Sequence, residues 1–279
     1  MPMLLEPDVR ERVIALAIEA AQRILEVYER GDARDASGMD LRHKADDSPL
    51  TAADLASHRC IVDGLAALTP DIPVLSEESA EEVPAEERLR WTRLWLVDPL
   101  DGTREFVKRN GEFTVNIALI EDGVATFGVI QAPTTGTLWW GDRVHGAYRR
   151  DDGGHEIALS TRTPAHAPLR VAASRSHRDA RTEAFMAKMA ADTGPTEDLG
   201  VGSSLKFCRI AEGAIDIYPR FGPTSEWDTA AGQIIVEAAG GAVLDPRGRP
   251  FRYNQRPTVL NGDFVAMGDA RLPWASWRA

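Results

Sequence analysis

The residues whose types and spacing could perform chemistry begin at Asp98, where the sequence reads Asp-Pro-Leu-Asp-Gly-Thr. The apolar run Leu94–Val97 predicts a short buried strand, and we expect it to stop at Pro99 because proline cannot donate to a sheet ladder. Asp98 and Asp101 lie three positions apart across this bend, so both carboxylates can face one point. Gly102 lets backbone N–H groups approach an anion closely. Oxygen ligands beside such amides suit a divalent metal ion that holds a phosphate, whereas the alternative is a solvated Asp-Pro turn.

Three further acidic residues stand where a predicted element begins or ends. Glu77 closes a predicted strand, Asp228 opens a helix, and Asp54 lies in the first turn of another helix. Layered folds place ligands at strand ends and helix N-termini. Each residue also has a structural interpretation: Thr51 and Asp54 form a capping-box pattern, Asp228 can stabilise a helix dipole, and Glu77 can be a solvated residue. The chain offers no cluster of His or Cys residues that would neutralise these carboxylates, and its six histidines show no metal-ligand spacing. A metal site shared by the carboxylates accounts for all of them together.

Other catalytic patterns are weak or absent from the sequence. It contains neither a Gly-x-x-x-x-Gly-Lys-Ser/Thr phosphate loop nor a Gly-x-Ser-x-Gly nucleophile elbow. The glycine-rich turn at residues 200–204 precedes a predicted helix, and its amides could hold an anion. The basic residues between Arg104 and Arg109 could meet a phosphate, but such exposed residues are common on protein surfaces.

Composition limits the classes of protein to which the chain can belong. Its 279 residues, 43% of them hydrophobic, are enough for one packed unit, which we expect to have two lobes. A net charge of −11 argues against a nucleic-acid polymer as partner, although bound cations would still allow anionic small molecules. Cys60 and Cys208 are predicted to be reduced thiols of a cytoplasmic protein. We find no signal peptide and no apolar run of transmembrane length.

Sequence periodicity predicts helices and strands that place these motifs. The predicted helices are Asp8–Tyr28, Thr51–Leu68, Arg181–Ala190, Ser203–Glu212 and Asp228–Ala239. Pro70–Leu75 is predicted to lead into a strand that ends at residues 76–79. The other predicted strands are Leu94–Val97, Thr114–Ile120, Val124–Gln131, Thr137–Trp140, Leu169–Ala173, Ala214–Tyr218, Ala242–Leu244 and Phe264–Met267. The middle strands, with a hairpin at Asp122-Gly123, indicate an antiparallel meander, and the second half alternates strand and helix. The polar segment 150–168 is the predicted lobe boundary, which divides the chain into 1–150 and 151–279.

The motif at Asp98 resembles the signature of the inositol monophosphatase superfamily, an apolar strand followed by Asp-Pro-Leu/Ile-Asp-Gly-Thr. Three other motifs resemble that family in the same order. They are Thr51-Ala52-Ala53-Asp54, Leu75-Ser76-Glu77-Glu78-Ser79 and Trp227-Asp228-Thr229-Ala230-Ala231-Gly232. The resemblance spans residues 8 to 268. Residues 104–116, 202–208 and 218–224 further resemble the bacterial 3′(2′),5′-bisphosphate nucleotidases of this superfamily, although Arg104 stands where many relatives carry Lys.

The resemblance implies an α+β fold with the layered α-β-α-β-α arrangement of the sugar phosphatases. An antiparallel sheet lobe (1–150) would carry most metal ligands, and an α/β lobe (151–279) would carry Asp228 and the nucleoside side of the site. The implied activity is Mg²⁺-dependent, lithium-sensitive hydrolysis of the 3′-phosphate of adenosine 3′,5′-bisphosphate, a by-product of sulfate assimilation, to AMP and phosphate. The implied protein is a cytoplasmic monomer or homodimer. A peripheral association with the inner membrane stays open.

The resemblance also assigns roles to particular residues. Two or three Mg²⁺ ions would be held by Glu77, Asp98, Asp101, Asp228 and the backbone carbonyl of Leu100. Glu77 and Asp98 would serve the attacking water, and Asp98, Asp101 and Asp228 the leaving group. Gly102 and Thr103 would hold the phosphate, while Thr103 and Asp54 would orient and deprotonate the water. The residues that would contact the substrate are Glu77, Leu100, Asp101, Gly102, Thr103, Asp228, Ser176, His177, Ser203, Ser204, Lys206 and Arg220.

Three alternative functions stay open at this stage. The first is an inositol monophosphatase or fructose-1,6-bisphosphatase of the same superfamily. The second, a haloacid dehalogenase-type phosphatase, requires two aspartates two positions apart near the N-terminus, whereas Asp98 and Asp101 are three apart. The third is a non-catalytic metal or nucleotide sensor, against which the presence of Asp54 and Thr103 beside the metal-ligand candidates argues.

Overall fold

The computed structural model describes residues 5–30, 42–43, 49–173 and 179–278. The described helices are α1 Pro7–Arg30, α2 Ala52–Leu68, α3 Ala85–Arg88, α4 Thr103–Val107, α5 Ala180–Thr193, α6 Leu205–Ala211 and α7 Glu226–Ala238. The described strands are β1 Arg42–His43, β2 Pro49–Leu50, β3 Val74–Ser76, β4 Arg93–Asp101, β5 Thr114–Glu121, β6 Val124–Ala132, β7 Thr137–Asp142, β8 Gly146–Arg150, β9 Glu156–Ala158, β10 Leu169–Ala173, β11 Thr196–Gly200, β12 Ile217–Arg220, β13 Ala242–Leu244 and β14 Phe264–Met267. Short 3₁₀ helices lie at Glu77–Glu82, Pro133–Thr135 and Trp274–Trp277.

Two large sheets organise these elements. The first has seven strands in sequence order from β3 to β9, and all neighbours are antiparallel except the parallel pair β3 and β4. The second has the order β11-β10-β12-β14-β13. The predicted meander is therefore confirmed. Asp122 and Gly123 form its first hairpin turn, with φ of 48° and 76°, the left-handed backbone that such a two-residue turn requires.

The alternating side chains of β4 explain the layers on the two faces of the first sheet. Trp95 and Val97 point into a core shared with α1 and α2, whereas Leu94 and Leu96 point into a second core shared with α7. Because successive side chains of a strand face opposite sides, an apolar run covered on both faces is buried throughout. This is the predicted pattern of a strand inside a layered fold.

Helices α6 and α7 lie between the two sheets. Their side chains Phe207 and Val236 pack with Val243 and Phe264 of the second sheet. The outer face of that sheet is covered by α5 and the 3₁₀ helix Trp274–Trp277. The order of layers is therefore α1/α2, first sheet, α6/α7, second sheet, α5, which confirms the predicted α-β-α-β-α fold.

Several elements differ in detail from the sequence-based expectation. β4 does not stop at Pro99 but pairs again with β5 at Asp101, after a register shift that accommodates the proline. β11 was not predicted, because the polar, partly exposed run Thr196–Gly200 lacks an apolar pattern. β9 extends the first sheet to Ala158, inside the segment 150–168, and α7 of the second half packs on the first sheet. The division at residue 150 stays a prediction.

Two expectations about the whole chain also bear on the structure. Cys60 and Cys208 are both free thiols, as predicted. None of the helices in the described ranges combines the length and the apolar composition that crossing a bilayer requires.

Candidate active site

A cavity of about 430 Å³ opens where the end of β4, the loop before α6 and the start of α7 meet. Most of the predicted site residues that the structure describes line it. They are Glu77, Asp101, Gly102, Thr103, Ser203, Ser204, Lys206, Arg220 and Asp228. Asp54, Asp98 and Leu100 do not line the cavity. Asp54 and Leu100 lie within hydrogen-bond distance of Thr103, which does, and Asp98 accepts a hydrogen bond from the backbone N–H of Leu100. Ser176 and His177 lie outside the described residues, and their roles stay predictions.

The bend at the end of β4 is held by two hydrogen bonds that explain its shape. Ser57 of α2 donates its hydroxyl to the carbonyl oxygen of Pro99 at 2.7 Å. The backbone N–H of Leu100 donates to Oδ1 of Asp98 at 3.1 Å, which turns the chain back on itself. A bulge of this kind bends a strand and redirects its side chains, and it also tolerates a proline. The chain therefore reaches the cavity at Asp101.

Gly102 occupies a position that no side chain could share. Its φ is +89°, and a Cβ atom there would lie 3.0 Å from the carbonyl oxygen of Glu112 and 3.1 Å from Cβ of Ser203. Both the left-handed backbone and the close contact favour glycine. Thr103 follows as the first residue of α4. The glycine thus lets two segments from different halves of the chain meet at the cavity wall.

Asp54 serves two partners with its two carboxylate oxygens. Oδ2 accepts hydrogen bonds from the backbone N–H of Thr51 at 2.8 Å and from its hydroxyl at 2.6 Å, which completes the capping box of α2. Oδ1 lies 3.4 Å from the hydroxyl of Thr103, which is also 3.2 Å from the carbonyl oxygen of Leu100. The structural and the catalytic interpretation of Asp54 are therefore compatible, because each uses a different oxygen.

Three carboxylates influence one another across the cavity. Asp228 is the third residue of α7, and its Oδ2 accepts a hydrogen bond from the backbone N–H of Ser225 at 2.8 Å. Burial raises the pKa of Asp228 well above its usual range, and the negative charges of Asp101 and Glu77 raise it further. The negative charges of Asp101 and Glu77 therefore disfavour the ionised form of Asp228.

This donor set fits Mg²⁺, which prefers carboxylate and carbonyl oxygens and would relieve the repulsion among the carboxylates. As the side chains stand, however, no three Asp, Glu, His or Cys residues in the described part of the chain are gathered closely enough to enclose an ion. Two of the proposed ligands instead make hydrogen bonds: Asp98 accepts from Leu100, and Asp101 accepts from the loop before α6. The metal-ligand roles therefore stay predictions.

Basic groups line another part of the same cavity. The Lys206 ammonium group donates to the carbonyl oxygens of Ser203 at 2.7 Å and Val201 at 3.3 Å, and lies 5.2 Å from the ring centre of Tyr218. Burial lowers the pKa of Lys206 to about 8, an effect that the charge of Asp101 partly opposes. Arg220 donates to the carbonyl oxygen of Pro223 at 3.0 Å. These cations give the cavity a region suited to an anionic group.

Sequence reasoning missed two polar residues of β5 that contact the site. Thr114 lies 2.7 Å from the hydroxyl of Ser203, and the side-chain amide of Asn116 donates to the hydroxyl of Ser204 at 2.8 Å. Both are buried in a strand that is apolar from Ile117 to Ile120. Their spacing of two positions puts them on one face of β5, and that regularity was the available signal. The exposed Leu260 at the cavity, 52% accessible, had no comparable signal.

Comparison with known proteins agrees with this architecture. A curated relative, the 3′(2′),5′-bisphosphate nucleotidase CysQ of Escherichia coli O157:H7, is 47% identical over 255 residues, which cover 91% of this chain and 97% of the relative. The crystal structure of CysQ from Bacteroides thetaiotaomicron superposes with a TM-score of 0.78 at 40% identity and covers 92% of this chain and 96% of that one. An inositol monophosphatase from Zymomonas mobilis superposes with a TM-score of 0.74 at 27% identity, covering 97% and 96%.

The sequence profile of the Inositol monophosphatase family matches residues 7–272, which is nearly the whole chain. The matched range includes all four sequence motifs and both large sheets. The chain therefore belongs to the inositol monophosphatase family.

Proposed function

We propose that the protein is a Mg²⁺-dependent 3′(2′),5′-bisphosphate nucleotidase, which hydrolyses the 3′-phosphate of adenosine 3′,5′-bisphosphate to AMP and phosphate. The observation that carries the proposal is one cavity lined both by the acidic residues Glu77, Asp101 and Asp228 and by the cations Lys206 and Arg220. Such a cavity offers one region for a metal-bound phosphate and another for a second phosphate. Relatives at up to 47% identity that carry this enzyme name support the choice of substrate.

The metal ions would be held by the oxygen donors around the bend of β4 and the start of α7. The proposed ligands are Glu77, Asp98, Asp101, Asp228 and the carbonyl oxygen of Leu100. When bound, two or three Mg²⁺ ions would supply charge neutralisation for the phosphate and acidify the attacking water. The number of ions is part of the proposal.

The protein groups orient the reactants and move the proton. Gly102 and Thr103 would hold the phosphate through their backbone N–H groups. The hydroxyl of Thr103, which lies between Asp54 and the carbonyl of Leu100, would orient the attacking water, and Asp54 would accept its proton. The water oxygen bonds to phosphorus, the bond from phosphorus to the 3′ oxygen breaks, and that oxygen takes a proton from solvent. No covalent protein nucleophile is required.

Lys206 provides a pH-dependent test of the second phosphate region. Because its pKa is about 8, the ammonium is charged below pH 8 and loses its proton as the pH rises through 8. We expect the KM for the bisphosphate to rise above that pH in the wild-type enzyme. Lys206→Met should raise KM about tenfold at pH 7, because the substrate loses a charge-assisted hydrogen bond. The variant should also lose most of the KM increase that the wild type shows above pH 8.

Steady-state kinetics from pH 6.5 to 9.5 would measure this effect for both proteins. Lys188→Met is a matched control, because Lys188 donates to the carbonyl oxygen of Arg278 and does not line the cavity. We expect wild-type KM values for the control. An unchanged KM in Lys206→Met would remove this lysine from the substrate site.

A substrate panel tests the proposed function as a whole. Phosphate release would be measured with Mg²⁺ for adenosine 3′,5′-bisphosphate, inositol 1-phosphate and fructose 1,6-bisphosphate, each with and without Li⁺. We expect the highest kcat/KM for the nucleotide and inhibition of its hydrolysis by Li⁺. Faster turnover of either sugar phosphate would instead support the corresponding phosphatase of the same superfamily.

The setting of the enzyme is a further part of the proposal. Two free thiols, Cys60 and Cys208, are typical of a reducing compartment, and they support a cytoplasmic location. A peripheral association with the inner membrane is not included. The proposed partner is a small-molecule nucleotide substrate. The proposed oligomeric state is a monomer or a homodimer.

A further inference from the structure

One oxygen of Asp101 is fully occupied by hydrogen bonds from the loop before α6. Its Oδ2 accepts from the backbone N–H of Ser204 at 2.5 Å, from the hydroxyl of Ser204 at 2.6 Å and from the hydroxyl of Ser203 at 3.0 Å. A carboxylate oxygen offers about two lone-pair directions, so three donors leave none for a cation. Only Oδ1 of Asp101 is then suited to bind a metal ion.

The hydroxyl of Ser204 is fully used inside the protein. The residue is 2% exposed, and its Oγ accepts a hydrogen bond from the side-chain amide of Asn116 at 2.8 Å. The two acceptors near its single hydrogen are Oδ2 of Asp101 at 2.6 Å and the carbonyl oxygen of Asp228 at 3.1 Å, and the shorter distance favours Asp101. The hydroxyl therefore has no hydrogen left for a substrate, and it joins Asn116 of β5 to Asp101.

Ser203 forms a second connection of the same kind. Its hydroxyl lies 2.7 Å from that of Thr114 and 3.0 Å from Asp101. Its φ of +52° is unfavourable for a residue with a side chain, and such conformations persist where surrounding contacts hold them. One such contact is made by the preceding residue: the backbone N–H of Gly202 donates to a carboxylate oxygen of Glu112 at 2.9 Å. The loop is thus fixed to the first half of the chain.

We propose that Ser204, held by Asn116, is a positioning residue that fixes the orientation of Asp101 and confines its metal binding to Oδ1. Ser203, held by Thr114, supports the same carboxylate from the neighbouring position. This inference rests on the proposed metal role of Asp101. It replaces the expected substrate contact of the Ser204 side chain with a role in metal affinity.

Ser204→Ala tests the proposal through a readout that does not depend on turnover. Mn²⁺ binding to the full-length protein without nucleotide would be followed by the electron paramagnetic resonance signal of free Mn²⁺. Because loss of a group that orients a metal ligand weakens metal binding by about 10- to 100-fold, we expect the Mn²⁺ Kd to rise at least about tenfold. At saturating Mg²⁺, the KM for the nucleotide should change by less than about twofold, since the hydroxyl does not contact it.

Asn116→Ala and a control variant complete the experiment. Asn116→Ala should weaken Mn²⁺ binding less than Ser204→Ala, and the double variant should bind about as weakly as Ser204→Ala alone, because both act along one connection. Thr161→Val is the control: it removes a buried hydroxyl that donates to the carbonyl oxygen of Gly268, away from the cavity. Its Mn²⁺ Kd should equal that of the wild type. If Ser204→Ala does not fold, Asn116→Ala alone carries the comparison.

The outcomes separate this inference from the proposed function. Wild-type Mn²⁺ affinity in Ser204→Ala would overturn the positioning role. A raised nucleotide KM with unchanged Mn²⁺ affinity would overturn it as well, and would restore Ser204 as a substrate contact. A wild-type protein that binds no Mn²⁺ would instead contradict the proposed metal site itself.

Discussion

Asp101→Asn is expected to lower kcat/KM for the bisphosphate by about 10³-fold, because it removes a negative oxygen from a site that stabilises several kcal/mol of transition-state charge. The amide keeps the size of the side chain, so the fold should persist. In the wild type, Ser203 and Ser204 donate hydrogen bonds to the Asp101 carboxylate. The asparagine would present to them either its neutral carbonyl oxygen or its NH₂ group, which is itself a donor. We therefore expect Mn²⁺ binding to weaken together with activity. Steady-state kinetics and a Mn²⁺ titration measure both effects.

A matched control for this variant is Asp269→Asn. Asp269 is also a buried carboxylate, but it pairs with Arg271 and does not line the cavity. Its hydrogen bonds with Arg271 hold the pKa of Asp269 at about 2, so the control loses a comparable favourable interaction. We expect Asp269→Asn to have the wild-type kcat/KM at temperatures below the melting temperature of the variant. Full activity in Asp101→Asn would undo the assignment of Asp101 as a metal ligand.

Asp54→Asn is expected to lower kcat by about 10²- to 10⁴-fold, the usual contribution of a general base. The amide cannot take the proton that Thr103 would pass from the water, although it fits the same space. Since Asp54 is not a proposed metal ligand, Mn²⁺ affinity should stay within about threefold of the wild type. Pre-steady-state phosphate release and a Mn²⁺ titration would measure the two quantities separately.

The capping box supplies the control for Asp54, because the cap of α2 can be removed by a substitution that leaves the Asp54 carboxylate in the protein. Thr51→Ala deletes the hydroxyl that caps α2 and donates to Oδ2 of Asp54. Loss of such a cap costs about 1 kcal/mol of stability, and we expect a similar loss in Asp54→Asn. Thr51→Ala should keep kcat within about tenfold of the wild type. Equal kcat losses in the two variants would show that Asp54 has only the structural role.

Local sequence information was sufficient for the elements that surround the site. The apolar and β-rich runs of β4 to β7 and the turn at Asp122-Gly123 predicted the meander, because residue type and turn chemistry are properties of neighbouring residues. The polar edge strand β11 escaped prediction for the same reason: its neighbours in the chain carry no apolar signal, and pairing with β10 stabilises it.

The candidate site was predictable where its residues stand in compact motifs. Glu77, Asp101 and Asp228 were each recognised within a few residues of an element end, and the structure brings all three to one cavity. The course of β4 through Pro99 was not predictable, because the bulge depends on the hydroxyl of Ser57 in another element. The hydrogen-bond partners of Ser203 and Ser204 were likewise not predictable, since Thr114 and Asn116 lie on β5, far away in the chain.

The sequence by itself determined which chemical groups this protein has and near which element ends they lie. Its motifs also determined the family, because metal-ligand types and glycine positions are recorded locally. Only the tertiary structure decided which groups face each other. Packing of α7 against the first sheet buries Asp228 and brings it near Asp101; burial, with the charge of Asp101, raises the pKa of Asp228. The loop before α6 reaches Asp101 through Ser204. Hydrogen bonds and charge interactions act over a few ångströms in space, so partners that are far apart in the chain meet only when the layers are assembled.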